Sequence, residues 1–104
     1  MPNFSNPFQG NVSKMMNQQE LIQAIRLDIA GELEAIFLYD AHSQATDNNM
    51  AKTVLDSIRD EEKAHVGELL TLLFQLDPNE ATKFTEGQGE VNQKLSQLNI
   101  KPMG

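Results

Sequence analysis

Three side chains in this sequence have the types and spacing of metal ligands: Glu32, Glu62 and His65. Glu62 and His65 form a Glu-x-x-His pair inside the stretch "RDEEKAH", residues 59–65. A separation of three puts the carboxylate and the imidazole on one face of a helix, a turn apart. That face is otherwise aliphatic. Val54, Ile58, Glu62, His65, Leu69, Leu72 and Leu76 follow one another at steps of 4, 4, 3, 4, 3 and 4, the period of an amphipathic helix. Burying unpaired polar groups in the middle of such a face is costly. A bound cation would remove that cost.

A second aliphatic stripe is interrupted in the same way. Ile22, Ile25, Ile29, Glu32, Ile36 and Tyr39 run at steps of 3, 4, 3, 4 and 3. The segment "TDNN" between the two stripes reads as a turn. With Asp47 as pivot, Glu32 lies as far before the turn as Glu62 lies after it. In an antiparallel hairpin, equal distance means equal height. Glu32, Glu62 and His65 are therefore expected to meet at one level on facing helices. One Glu from one helix and a Glu-x-x-His from the other make half of the ligand set of a di-iron carboxylate centre in a four-helix bundle. A twofold pair of chains would complete both bundle and centre, with two metals near the axis. The charges agree: four glutamates would balance two divalent ions. Without metal those carboxylates would repel one another or take up protons.

The elements that position these residues are legible from caps and breakers. Asn17 with Glu20 has the form of a capping box. It opens a helix expected to run to about Gln44, with Gly31 a mild interior flaw. Thr46 or Asp47 is expected to cap a second helix ending at Leu76. Asp77 and Pro78 then start a third, expected to be short and to break at the two glycines of "TEGQG". Residues 1–16 carry two prolines, a glycine and several asparagines and read as an extended N-terminal arm, with Phe4 and Phe8 free to pack on something. Residues 17–86 read as the helical hairpin with its short third helix. Residues 87–104 read as a flexible tail. The expected class is all-α, an antiparallel two-helix hairpin plus a short C-terminal helix. Two long helices make a poor core and call for another layer.

Composition narrows the chemistry. The chain has 104 residues, 15 acidic against 8 basic, a net charge of −7 and no cysteine. The acidic balance argues against nucleic-acid binding, which leaves a basic footprint, and suits attraction of cations. Absence of cysteine excludes disulfides, thiolate zinc sites and iron–sulfur centres within the chain. Any metal must rest on carboxylate and imidazole. No apolar run has the length of a transmembrane helix, and "MPNFSNPFQG" lacks the regions of a signal peptide. A cytoplasmic location, away from membranes, is the expectation. A chain this short buries a modest share of its surface, which favours oligomerisation.

Neighbouring residues have weaker claims. Glu61 is one residue off the stripe. Tyr39 lies one heptad beyond Glu32, and its hydroxyl is a candidate to support a ligand carboxylate. Glu34 points away from the Glu32 face, either as a surface charge or as a cation-attracting group at an entrance. His42 falls near the turn, far from the site. Met15, Met16 and Met50 read as packing.

With "GELEAIFLYD", "RDEEKAH" and "FTEG" at 84–87, the chain resembles the encapsulated ferritin family over roughly residues 20–87. The resemblance implies a ferritin-like hairpin that rebuilds a ferroxidase centre between two subunits. It implies iron oxidation by Glu32, Glu62 and His65, two irons per dimer, and a ring-shaped assembly of dimers. It places Glu34 at an outer iron entrance, where Gly31 and Leu38 stand at positions that often carry an acidic residue and a tryptophan. It also implies a partner, an encapsulin shell protein, docked by a C-terminal peptide. Leu95, Leu98 and Ile100 are spaced for that role, although the Gly-Ser-Leu ending is absent. The implied function is ferroxidase activity for iron storage in an encapsulin nanocompartment. Two other readings stay open: a di-iron peroxidase of rubrerythrin type, and a non-catalytic helical oligomer fixed by metal.

Overall fold

A computed structural model describes residues 14–102 of the chain. Most of the expected arm, residues 1–13 with Phe4 and Phe8, lies outside the described residues, as do residues 103–104. The described residues form three helices and no strand: α1 (Gln18–Gln44), α2 (Asn49–Leu76) and α3 (Pro78–Gln97).

The α1 start follows its sequence signal. The Asn17 side chain accepts from the Glu20 backbone N–H at 2.8 Å, and the Glu20 carboxylate accepts from the Asn17 backbone N–H at 3.0 Å. Two orphan donors of the first turn are thereby satisfied. The α2 cap differs from expectation. Asn48, rather than Thr46 or Asp47, accepts from the Ala51 N–H at 3.0 Å. The Thr46 hydroxyl instead accepts from the Asn48 N–H. Asn is as good a cap as Asp, and the helix starts one residue later. At the far end, Asp77 caps α3 through the Glu80 N–H, and Pro78 takes the first position.

The third helix is longer than the glycine signal suggested. It passes through Gly87 and Gly89 and ends at Gln97, so residues 87–97 are helical and not a loose tail. Neither glycine has positive φ. Each costs the helix about 1 kcal/mol relative to alanine, a penalty but not a stop. The stop comes at Asn99, whose φ of 59° is left-handed. The Ile100 N–H bonds back to the Leu95 carbonyl at 2.8 Å and the Asn99 N–H to the Ser96 carbonyl at 3.1 Å, the pairing of a Schellman motif.

Helices α1 and α2 pack as an antiparallel hairpin, while α3 leaves it at the α2 end. The radius of gyration, 17.3 Å, exceeds the ~13 Å of a compact domain of about 100 residues. Among the described residues only Ile22, Ile25 and Leu73 are buried apolar residues, with Leu21, Ile29, Leu69, Leu70, Phe74 and Leu76 packed around them. This core sits at the open end of the hairpin. A single copy buries too little to be a self-contained bundle. Met15 and Met50, expected to pack, are exposed.

The inward face of α2 corrects the expected stripe by one residue. Leu73 is 1% exposed, whereas Leu72 is 43% and Val54 53% exposed. Leu73 follows Glu62 by eleven residues, about three full turns, so it shares the inward direction of Glu62. Leu72 and Val54 instead share the direction of His65, along one edge of the hairpin.

Candidate metal centre

Glu32 projects from the middle of α1 and Glu62 and His65 from the middle of α2, the two carboxylates half-buried and His65 exposed along the hairpin edge. One oxygen of each carboxylate and one nitrogen of the imidazole lie within 4.8 Å of one another. His65 Nδ1 is 3.4 Å from Glu32 Oε2 and 3.6 Å from Glu62 Oε2. The equal-height argument from the turn thus brings together the three residues it named.

Their surroundings differ. The side chains of Glu32 and Glu62 are 27% and 18% exposed, that of His65 48%. Glu32 Oε2 is buried and has no hydrogen-bond partner; the contact with His65 lacks hydrogen-bond geometry. A buried carboxylate oxygen without a donor is destabilising, and a cation is what it lacks. Two carboxylates and an imidazole suit a divalent first-row metal. The residues present therefore fit a metal, but three donor groups are too few to fill two metal ions. The centre opens along the His65 edge, and that edge is flanked by exposed Val54 and Leu72.

A second polar cluster, unnoticed in the sequence, holds the hairpin at the level next to the site. Arg59, one turn before Glu62, donates from Nη1 to Asp40 at 2.8 Å and Asp56 at 3.2 Å, and from Nε to Asp60 at 3.2 Å. The Asp40 carboxylate, then that of Asp60, raises the guanidinium pKa above its ordinary value. Ser43 is buried and donates to Asp56, while Lys52 donates to the Ser43 carbonyl at 2.6 Å. This network ties α1 to α2 at the turn end. At the other end Arg26 donates to Glu80 and reaches Asp77 at 3.5 Å. Hydrogen bonding to Glu80 raises the Arg26 pKa. The acidic residues clustered around Arg59 in "DSIRDEE" were the signal available.

The remaining candidates stand apart from the three. Glu34 is half-buried and Glu61 exposed, and neither belongs to the cluster. Tyr39 is half-buried and makes no hydrogen bond to Glu32 or Glu62 within the described chain. His42 is exposed in the last turn of α1.

An all-α hairpin carrying a Glu and a Glu-x-x-His at one level defines a ferritin-like protein. The family model described as "Ubiquinone biosynthesis protein COQ7" matches residues 19–81, the two long helices and the start of α3. A crystal structure of the encapsulated ferritin domain from Pyrococcus furiosus is similar at 38% identity and a TM-score of 0.76, covering 85% of this chain and 90% of that one. The encapsulin nanocompartment cargo protein EncC of Myxococcus xanthus is 44% identical over 79% of this chain. The ferritin-like-encapsulin shell fusion protein of Pyrococcus furiosus is 43% identical over 85% of it. Within the ferritin-like proteins, the chain belongs to the encapsulated ferritin family. It spans 63% of the length of the Myxococcus relative and 26% of the fusion protein. No described helix is long and apolar enough to cross a membrane.

Proposed function

We propose that the protein is a ferroxidase: two copies face each other across the His65 edge, bind two Fe²⁺ as substrate, and release Fe³⁺ for storage inside an encapsulin compartment. The observation that carries this reading is the orphaned Glu32 Oε2 beside Glu62 and a half-exposed His65. It is a ligand set built on one side only. A twofold partner supplies the missing Glu, Glu and His and turns two hairpins into a four-helix bundle.

The residues act through charge and position. Glu32 and Glu62 offer carboxylate oxygens, one of each pair able to bridge, and His65 in its neutral form offers a nitrogen lone pair. Four carboxylates in a partly dry site favour Fe³⁺ over Fe²⁺, because attraction to the higher charge is the larger. Two Fe²⁺ give up one electron each. Dioxygen accepts both with two protons and leaves as hydrogen peroxide; with peroxide as oxidant, the products are two waters. A hairpin dimer encloses no cavity, so the oxidised iron needs an outside compartment. The encapsulin names of the relatives favour a shell as that compartment. We assign shell docking to the segment from Asn99 onward, since Leu95 and Leu98 belong to α3 and its cap. Glu34 is the candidate for the iron entrance and Tyr39 for support of a ligand carboxylate.

The test is anaerobic loading with Fe²⁺, followed by oxygen and spectroscopic detection of Fe³⁺. The reading requires oxidation well above the rate in buffer, dependent on Glu32, Glu62 and His65. Tight iron binding without turnover would favour a metal-fixed oligomer instead. Sustained peroxide consumption with an external reductant would favour a peroxidase.

A further inference from the structure

The hairpin is held at two places, one on either side of the metal level. Among the described residues the buried apolar ones, Ile22, Ile25 and Leu73, lie toward the open end. Toward the turn the helices are joined by polar groups. Asp40 and Ser43 share one face of α1, and Asp56 and Arg59 one face of α2, each pair three residues apart. Arg59 donates from Nη1 across the hairpin to Asp40 at 2.8 Å, and from the same nitrogen to Asp56 on its own helix at 3.2 Å. The Ser43 hydroxyl donates back across the hairpin to Asp56. These four side chains close a frame with two corners on each helix. Lys52 adds a third crossing by donating to the Ser43 carbonyl at 2.6 Å.

The two holds differ in kind. Apolar contact is non-directional and tolerates sliding of one helix along another. Charge-assisted hydrogen bonds set distance and direction. The connection, residues 45–48, limits how far the helices can shift. The frame sets where within that range they rest. Its ion pair is partly exposed, 22% for Arg59 and 42% for Asp40, and pairs of that kind add little to stability. Geometry is what the frame supplies.

The ligands ride on the same stiff pieces of helix. Glu62 follows Arg59 by three residues, ~4.5 Å along α2, and Glu32 precedes Asp40 by eight, ~12 Å along α1. A shift of Asp40 relative to Arg59 is therefore a shift of Glu32 relative to Glu62 and His65. The ligands do not lock one another before metal arrives. Glu32 Oε2 has no hydrogen-bond partner and meets His65 Nδ1 at 3.4 Å without hydrogen-bond geometry.

We propose that Arg59, acting through Asp40 and Asp56, is a positioning residue for the metal centre. It sets the axial register of Glu32 against Glu62 and His65, and so the separation of the two irons. This rests on the ferroxidase reading above. Oxidation needs both irons at one separation, and a misplacement of about 1 Å can cost ~100-fold in rate. Iron affinity follows the ligand charges, which the frame leaves untouched.

Arg59→Gln and Asp40→Asn provide the test. The first removes a positive charge and the second a negative one, so an effect carried by the electrostatic field would move the rate in opposite directions. A lost register moves it the same way in both. Each variant should lower the rate of Fe³⁺ formation at saturating Fe²⁺ about tenfold. The half-saturating Fe²⁺ concentration should shift much less, and the visible spectrum of the anaerobic Co²⁺ complex should change, at unchanged helical content. The double variant should be no slower than the slower single one, because the two residues act as a unit. Arg59→Lys keeps a cation between Asp40 and Asp56 and should retain most of the rate. Asp60 bonds Arg59 within α2 alone, so Asp60→Asn should change the rate less than twofold. The proposal is overturned if Arg59→Gln and Asp40→Asn keep the parental rate and Co²⁺ spectrum, if they move the rate in opposite directions, or if Asp60→Asn loses as much as Asp40→Asn. A parent that oxidises no iron would overturn the ferroxidase reading alone, and the Co²⁺ spectra would still decide whether Arg59 sets the ligand geometry.

Discussion

His65 Nδ1 stands 3.4 Å from Glu32 Oε2 across the hairpin, and that oxygen has no hydrogen-bond partner. The chain thus holds a buried acceptor next to a half-exposed imidazole, an arrangement that opposes folding in the absence of a cation. Function and stability pull against each other at this point, and several outcomes follow from it.

The three clustered side chains should each be needed for iron oxidation. Glu32→Ala, Glu62→Ala and His65→Ala should lower the initial rate of Fe³⁺ formation by tenfold or more while circular dichroism stays helical. Glu61→Ala should change the rate less than twofold, since Glu61 is exposed and off the cluster. Full activity in Glu62→Ala would contradict the assignment.

Removing the orphaned carboxylate should help the metal-free protein. Glu32→Leu leaves no buried oxygen without a donor and is expected to gain about 1–3 kcal/mol. Thermal unfolding of metal-free samples checks this: the variant should melt several degrees higher. Added Zn²⁺ should raise the melting temperature of the parent but not of the variant. A lower melting temperature for the metal-free variant would mean that Glu32 is satisfied in solution.

The Arg26 clamp should orient α3 without supporting the metal centre. Its pairs with Glu80 and Asp77 are partly exposed, so Arg26→Ala should cost about 0.5–1 kcal/mol and leave iron oxidation unchanged. The raised Arg26 pKa places its stabilisation fully below the ordinary guanidinium value, to be lost only as pH rises through the still higher folded value. Denaturant titrations of parent and variant at pH 7 and pH 10 should therefore differ by the same amount. A difference that vanishes at pH 10 would show that the clamp is not guanidinium-based.

Much of this was legible before the fold. Asn17 with Glu20, and Asp77 with Pro78, announced helix starts because side-chain capping is local chemistry. The cluster was legible because equal distance from a turn fixes height in any antiparallel hairpin. What escaped the sequence depended on geometry between helices or on competing weak signals. Gly87 and Gly89 weaken a helix but end it only when φ turns positive, which happens at Asn99. Leu73 and Leu72 are neighbours, and only the relative rotation of the helices decides which is buried. Arg59 reaches Asp40 on α1, and Arg26 reaches Asp77 and Glu80 beyond α2, and no sequence spacing points to those pairs.

Docking to a shell and iron oxidation should separate along the chain. Deleting residues 99–104 should abolish loading into a co-expressed encapsulin shell while assembly size and ferroxidase rate remain those of the parent. Unchanged loading would remove the docking role from this segment.

The shared site is tested most directly by native mass spectrometry of the metal-free protein at low concentration, titrated anaerobically with Fe²⁺ or with Co²⁺ as a mimic. Metal that needs ligands from two chains must stabilise the pair. Dimers and larger assemblies should grow at the expense of monomer as metal is added, with two ions per pair of chains, and Glu32→Ala should blunt that response. An oligomer distribution that ignores metal, and is the same in Glu32→Ala, would contradict a centre shared between two copies.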